Sequence, residues 1–227
     1  MILLSKLKNK EGSTVMKVSE RKEKEKQFRN ELIIDAAERV FFKKGFENTT
    51  MNDIAKEAGF SKGTIYLSFK HRQDLHFAIV LRAVKLIGTM LKRSYKLEGT
   101  PTEKLQIMLK AYITFTQKHP DYASVLRYFK PSDIKKVSPY YIEQFFNKES
   151  PLYILQEVLS ELQDQGVIRV DIKPTELALI LWSQISGILS MAYFYESFLH
   201  LAGTNPEKII QNHINILLNG IFKTEPK

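Results

Sequence analysis

The chain has 227 residues, 44% of them hydrophobic and 26% charged, with no cysteine and a formal net charge of +9. That length holds one small domain and a larger one with a sizeable core, disorder is not the default for this composition, and the absence of cysteine excludes a disulfide framework and thiolate chemistry. The charge excess favours polyanions and is concentrated: residues 1–72 hold 16 Lys and Arg against 10 Asp and Glu, leaving +6 there and +3 over the rest.

The opening MILLSKLKNK has an apolar run of three residues before its lysines begin, against the ~7–15 of a signal-peptide core. Export is therefore not expected, and with no cysteine a cytoplasmic location is preferred. KVSERKEKEK, Lys17 to Lys26, mixes signs without an apolar face, so residues 1–26 read as a basic flexible extension or a frayed continuation of the first helix. The sharper reading is a basic arm that reaches a minor groove. Phe28, Leu32, Ile33, Ala36, Ala37, Val40 and Phe41 then keep a helical period up to Lys43-Lys44-Gly45.

Thr50 to Arg72, TMNDIAKEAGFSKGTIYLSFKHR, reads as two short helices joined by a glycine turn. Thr50 and Asp53 have capping-box spacing, which starts a helix at about Met51 with Ile54, Ala55 and Ala58 on one stripe. Gly59 stops it, with Phe60 as the apolar residue that packs back on the last turn. Ser61 can cap the next helix, where Ile65 and Phe69 face inward and Lys62, Gly63, Thr64, Tyr66 and Lys70 face out. Capped helix pairs occur in many proteins that never touch DNA, but a third helix upstream completes a small core that can hold the second of the pair in a major groove.

The run from Ile34 to Leu75, with AAERVFFKKGFENTT, MNDIAKEAGFSKGTIY and SFKHRQDL, resembles the N-terminal domain of the tetracycline-repressor (TetR) family of bacterial transcriptional regulators. The resemblance covers about a fifth of the chain. It implies that Thr50 bonds a phosphate, that Ser61, Lys62, Gly63 and Thr64 open the recognition helix, that Tyr66 contacts the phosphate backbone, and that Lys70 and Arg72 are basic positions near DNA. Leu67 and Ser68 depart from the bulkier, aromatic or histidine residues common there. Leu67 has the chemistry to touch a thymine methyl instead.

Beyond Arg72 the pattern is helical almost throughout, and the expected fold is all-α: 1–26 extension, 27–72 helix-turn-helix DNA-binding domain, 73–227 helical regulatory and dimerisation domain. A connecting helix through Leu75, Ile79, Leu86 and Met90 ends near Lys96. The next begins after Thr102 and stops at His119-Pro120, and Asp121 can cap a short helix up to Pro131. Past Ser138-Pro139 come Ile142, Phe145 and Phe146; Pro151 opens a helix to Gly166. Two more follow, about Thr175–Leu201 and Pro206–Phe222. Leu177 to Tyr195 has no charge over 19 residues, close to a bilayer's ~20, but Ser183, Gln184, Ser186 and Ser190 dilute it, and burial against its own core and a second copy is the preferred reading.

The resemblance further implies that this helix and the last form a four-helix interface in a homodimer, with Gln184, Gly187, Met191, Ile210, Ile214 and Leu217 as candidates, so that two recognition helices read a pseudo-palindromic double-stranded operator. It also implies a small-molecule pocket among the middle helices. The aromatic set there supplies Met108, Tyr112, Phe115, Tyr122, Phe129, Phe145, Tyr153 and Trp182, with Tyr128, Phe146 and Tyr193; such residues are as readily plain core, and if they line a pocket they favour an apolar or aromatic effector. No cofactor, metal site or catalytic constellation is expected: the five histidines have no i, i+3 or i+4 pairing, and His71 and His76 read as helix-surface residues near DNA. The two functional readings are a homodimeric repressor released by a small ligand, and a DNA-bound structural or partner-controlled regulator without one.

Overall fold

Short polar side chains and prolines set most helix starts in this chain. The computed structural model describes residues 2–127, 135, 137–145 and 147–222, with the side chains of 2–17, 127, 193 and 194 left aside. Among the described residues eleven helices follow in order: α1 (Ile2–Lys44), α2 (Met51–Ala58), α3 (Lys62–Ser68), α4 (Arg72–Tyr95), α5 (Pro101–Lys118), α6 (Pro120–Arg127), α7 (Pro139–Phe145), α8 (Pro151–Asp164), α9 (Pro174–Phe194), α10 (Glu196–Leu201) and α11 (Pro206–Ile221). The fold is all-α; among the described residues the β-pairing is an isolated bridge between Ile168 and Phe222.

Thr50, Ser61, Thr100, Ser150 and Asn205 each accept the N–H three residues on, satisfying a donor that a helix start leaves without a partner. Proline occupies the first turn of α5, α8, α9 and α11, where its missing N–H is harmless. Pro101 is thus the opening residue of α5, not the break before it, because Thr100 and Glu103 close a capping box around it. The single helix expected over Thr175–Leu201 divides at Tyr195, and the bend leaves Leu199 in the core while Phe198 and Leu201 stay exposed.

The chain divides into two units: residues 1–79 with 128–138, and residues 80–127 with 139–227. In the first, the head, α1 packs on α2 and α2 on α3. Its core takes Ile33, Ala36, Ala37, Val40 and Phe41 from α1, Ile54 and Ala55 from α2, Ile65 from α3, and Phe69 and Leu75 beyond it. Phe28 and Leu32, although in phase with that stripe, remain exposed. His76 is a core residue, contrary to the surface position expected of it: it is 2% exposed, its ring 4.3 Å from Phe46 and edge-on to Phe41 at 6.2 Å. An imidazole there fills a slot between two phenyl rings.

In the second unit α9 packs against α8 and α11, and α11 against α5. Leu177, Ala178, Leu181, Ile185, Leu189 and Ala192 put one stripe of α9 into the core. The 19 residues from Pro174 to Ala192 are long and apolar enough to cross a bilayer, and this one stripe of them packs into the core of the unit. Ile210, Ile214 and Leu217 of α11 are also buried in it. They are therefore not available to a second copy as expected, because the inward stripe of α11 is their own unit's core. Gln163 secures the connection from α8 to α9, its amide nitrogen donating to the carbonyls of Arg169 and Ile172, each at 2.8 Å.

Gly88 marks the tightest approach in this unit. A Cβ on it would collide with the carbonyl oxygen of Glu149, so the absence of a side chain lets α4 meet the chain just before α8. Gly88→Ala forces two backbones apart, an overpacking that costs about 1–3 kcal/mol. The expected outcome is a lowered melting temperature of the second unit by calorimetry, and an unchanged melt would show that the contact yields freely.

Candidate nucleic-acid interface and effector cavity

Two helices of eight and seven residues are too short to persist alone, so the head depends on how their ends are tied. At the start of α2, Thr50 Oγ1 accepts from Asp53 N–H at 3.1 Å, and Asp53 Oδ2 accepts from Thr50 N–H at 3.0 Å. Lys44 Nζ donates to the other carboxylate oxygen at 2.7 Å, fastening α1 to α2. The hydrogen bonds from Lys44 and Thr50 hold the Asp53 carboxyl down at about 2. A second α1–α2 ion pair, Arg39 to Glu57 at 2.7 Å, is well exposed and contributes little. At the far end Gly59 takes φ 70°, ψ 22°, and its N–H faces the carbonyls of Ala55 and Lys56. Phe60 N–H returns to Ala55 at 3.1 Å, completing a left-handed helix stop that a residue with a Cβ enters only with strain.

This turn aims α3. Ile65 is fully buried and Phe69 nearly so, which points the opposite side of α3 outward. Ser61, Lys62, Gly63, Tyr66, Leu67 and Lys70 are exposed there, with Thr64 half-buried. Ser61 Oγ accepts from Thr64 N–H at 3.1 Å and lies 2.9 Å from Thr64 Oγ1, while Lys62 Nζ stands 5.8 Å over the Tyr66 ring. Eight of the nine expected DNA-facing residues, Thr50 and those seven, therefore reach the surface of the head.

Arg72 is the exception. Its guanidinium lies 4.2 Å from the Phe46 ring, donates to the carbonyls of Thr49 at 2.6 Å and Glu47 at 3.1 Å, and approaches the Glu47 carboxylate at 3.7 Å. The turn between α1 and α2 leaves those carbonyls without helical partners, and a planar five-donor fork suits them. Arg72 thus braces the turn between α1 and α2, its side chain a quarter exposed. Beside it, the buried Asp74 accepts from the N–H groups of His71 and Ser138, both at 3.1 Å, capping α4 and tying residue 138 to the head.

The second unit holds an apolar cavity of about 30 Å³ lined by Leu91, Leu105, Met108, Leu109, Tyr112, Pro151, Leu155, Leu181, Trp182 and Ile185. Of the expected effector residues it gathers Met108, Tyr112 and Trp182. Phe115 stacks on Tyr112 at 6.4 Å within the core. Tyr122, Phe145 and Tyr153 are half-buried outside the lining, and Phe129 lies outside the described residues. The aliphatic lining residues carry no sequence signal that separates them from ordinary core. One polar pair borders this apolar wall: the Tyr112 and Ser186 hydroxyls are 3.0 Å apart, and the Tyr112 and Trp182 rings stand at 5.6 Å. A larger groove, lined by Thr102, Gln106, Asn215 and Asn219, is polar and open. On the outer side of α9, Gln184, Gly187 and Met191 are exposed together with Leu179 and Ile180, as an interface helix requires. Among the described residues no group of three or more His, Cys, Asp or Glu side chains is placed to hold a metal ion.

Residues 33–79 match the family described as bacterial regulatory proteins, tetR family. The fold is shared with a Shewanella sp. PV-4 structure assigned to the tetR family of transcription regulators, at TM-score 0.66 and 16% identity, covering 86% of this chain and 99% of that one. It is shared too with a bacterial regulatory protein in the tetR family from Rhodococcus RHA1, at TM-score 0.63 and 18% identity over 87% and 98% of the two chains. The transcriptional regulator FadR from Bacillus subtilis, solved in complex with stearoyl-CoA, matches at TM-score 0.62 and 20% identity over 84% and 98%. No curated protein matches the chain in sequence.

The depressed acidity of Asp53 has a consequence for the head. An unfolded Asp titrates near 3.9, so its stabilising contribution is complete above that pH and is lost as pH falls toward 2. Asp53→Asn keeps an acceptor for Thr50 but loses the negative charge that pairs with Lys44. Chemical denaturation should find the variant less stable than the parent at neutral pH and the two converging by about pH 2; a constant offset would remove Asp53 from the acid response.

Proposed function

We propose that this chain, whose residues 33–79 are those of a TetR-family bacterial regulatory protein, is a cytoplasmic homodimeric transcription regulator without enzymatic activity. It holds a pseudo-palindromic operator in its repressing state and leaves it when a small apolar or aromatic effector binds. The observation that carries the reading is the head: a capped helix pair presenting Lys62, Tyr66 and Lys70 around an exposed recognition helix. Lysines and hydroxyls of this kind neutralise and bond phosphates, while the groove edge is read by the side chains between them.

Two identical heads follow from pairing of the exposed face of α9, where Gly187 permits close approach and Met191 and Ile180 supply apolar area. The effector reading draws on the cavity. At about 30 Å³ it is small, whereas small-molecule sites occupy roughly 300–1,000 Å³. An effector therefore enters by opening the walls formed by α4, α5, α8 and α9, and it stabilises the opened arrangement. Helix α4 contributes Leu75 and Ile79 to the head and Leu91 to the cavity wall, so a change at the cavity has a continuous helix through which to bias the head. A coupling of about 1–3 kcal/mol, or 5–150-fold in operator affinity, is the ordinary scale. The stearoyl-CoA complex of the Bacillus subtilis neighbour makes long acyl chains the first class to assay, and the Tyr112–Trp182 wall makes aromatic compounds the second.

A second reading, control by a partner protein, is favoured by the small size of that cavity and by Phe198 and Leu201 of α10, which are 65% and 88% exposed. Effector assays separate the two. Acyl-CoA or aromatic compounds that release a bound operator duplex in the parent but not in Trp182→Ala support the ligand reading; no release by any compound supports the partner.

Mobility-shift titrations test the interface itself. Tyr66→Ala and Lys70→Ala should weaken operator binding with the melt unchanged, and Lys70→Ala should lower the slope of log affinity against log salt by about one for each head. Arg72→Ala should behave differently, destabilising the head by about 1–3 kcal/mol as two carbonyls lose their partner. Met191→Glu should yield monomers in sedimentation and lose cooperative operator binding. Unchanged binding by both Tyr66→Ala and Lys70→Ala would overturn the assigned surface.

A further inference from the structure

We propose that Leu67 reads the C5 methyl of a thymine in each operator half-site, so that the centre of the recognition surface discriminates by an apolar contact and not by hydrogen bonds. The inference rests on the reading of the head as a DNA-binding module and names its specificity determinant.

The geometry of α3 leaves few side chains to carry sequence information. Ile65 is fully buried and sets the inward direction. Gly63 and Leu67, two residues to either side of it, lie roughly 160° around the axis and one turn apart, so they form the outward crest. Gly63 offers no side chain, and a Cβ on it would meet only Ser61 Oγ, at 3.8 Å, so a duplex can approach the backbone closely there. Leu67 is what the crest presents. It is 87% exposed, the second most exposed large apolar residue of the described chain after Leu201.

The flanks of the crest are polar and partly committed. Thr64 shares its hydroxyl with Ser61 at 2.9 Å, and Lys62 stands over the Tyr66 ring. These groups suit phosphates and sugars, which position a protein without specifying sequence. A leucine can neither donate nor accept, and inserted against the donor or acceptor of a base edge it would strip water from that group without replacing the bond. Among unmodified bases the thymine methyl is the apolar feature of the major-groove edge. An isobutyl group on the crest of a short groove-reading helix therefore matches thymine and no other base. Burial of one methyl sets the scale of discrimination at roughly four-fold per half-site.

The test starts from a duplex selected from random-sequence DNA by the parent protein. Each thymine of one half-site is then replaced singly by deoxyuridine, which removes the methyl and keeps the hydrogen-bonding edge. The parent should lose roughly four-fold in affinity at one position, Leu67→Ala should bind the thymine and deoxyuridine duplexes equally at that position, and Leu67→Met should retain the preference. Because Leu67 is outside the core, a thermal melt should find all three proteins equally folded. Equal thymine-to-deoxyuridine ratios in the parent and in Leu67→Ala at every position overturn the contact, as does indifference of the parent throughout. Failure of the selection to enrich any duplex would instead reject the DNA-binding reading on which the contact stands.

Discussion

The left-handed turn at Gly59 decides which face of α3 meets the outside. Helices of this length do not persist on propensity, so the direction of α3 comes from three tied ends: the Thr50–Asp53 box, the Gly59 stop with Phe60 returning to Ala55, and the Ser61 cap. Between the end of α2 and the start of α3 the chain has three residues in which to reverse, and only one of them adopts positive φ. With both caps in place, Ile65 and Phe69 have one way to enter the core, and Gly63 and Leu67 have one way to leave it. The outward surface of α3 is thus a by-product of satisfying backbone donors a few residues away.

Basic residues that look equivalent in the sequence take three different positions around that turn. Lys44 is drawn to Asp53, Arg72 to the carbonyls of Glu47 and Thr49, while Lys62 and Lys70 stay on the surface. The backbone makes the selection. A loop that closes one helix and opens another exposes acceptors that no neighbouring N–H can reach, and the nearest long cation satisfies them. The net count over residues 1–72 already subtracts Asp53 and Glu47, the partners of Lys44 and Arg72, so pairing leaves the +6 unchanged and alters only where positive charge is presented.

The head was legible because its determinants are local: caps, a glycine and an inward pair four apart are all read within a dozen residues. The second unit was legible as helices but not as a site. Met108, Tyr112 and Trp182 reached the cavity, yet Phe145 and Tyr153, chosen by the same aromatic criterion, did not, because the cavity is set by where α4, α5, α8 and α9 meet. That is a tertiary fact with no local signature. Ile210, Ile214 and Leu217 show the same ambiguity: an apolar stripe on α11 fits an inner or an outer face, and the core took it. His76 and Gly88 were missed for a related reason, since a buried imidazole and a mid-helix glycine announce their roles only through Phe46 and Glu149, which are distant in sequence.

Stability and specificity consequently fall to different residues in the head. The groups that hold it together, Asp53, Arg72, Asp74 and His76, are engaged within the fold by hydrogen bonds, ion pairs or ring contacts. Those that face outward are small, polar or, at Leu67, purely apolar, and none of them supports the core. On the proposed DNA-binding reading, substitution on the crest is therefore free to alter which sequence is read without endangering the fold, whereas a change at the tied ends alters the aim of every outward residue at once. On the proposed reading such a division lets operator preference change on a constant head, and it makes position 67, where a bulkier residue is common in the family this chain resembles, the natural place for that change to show.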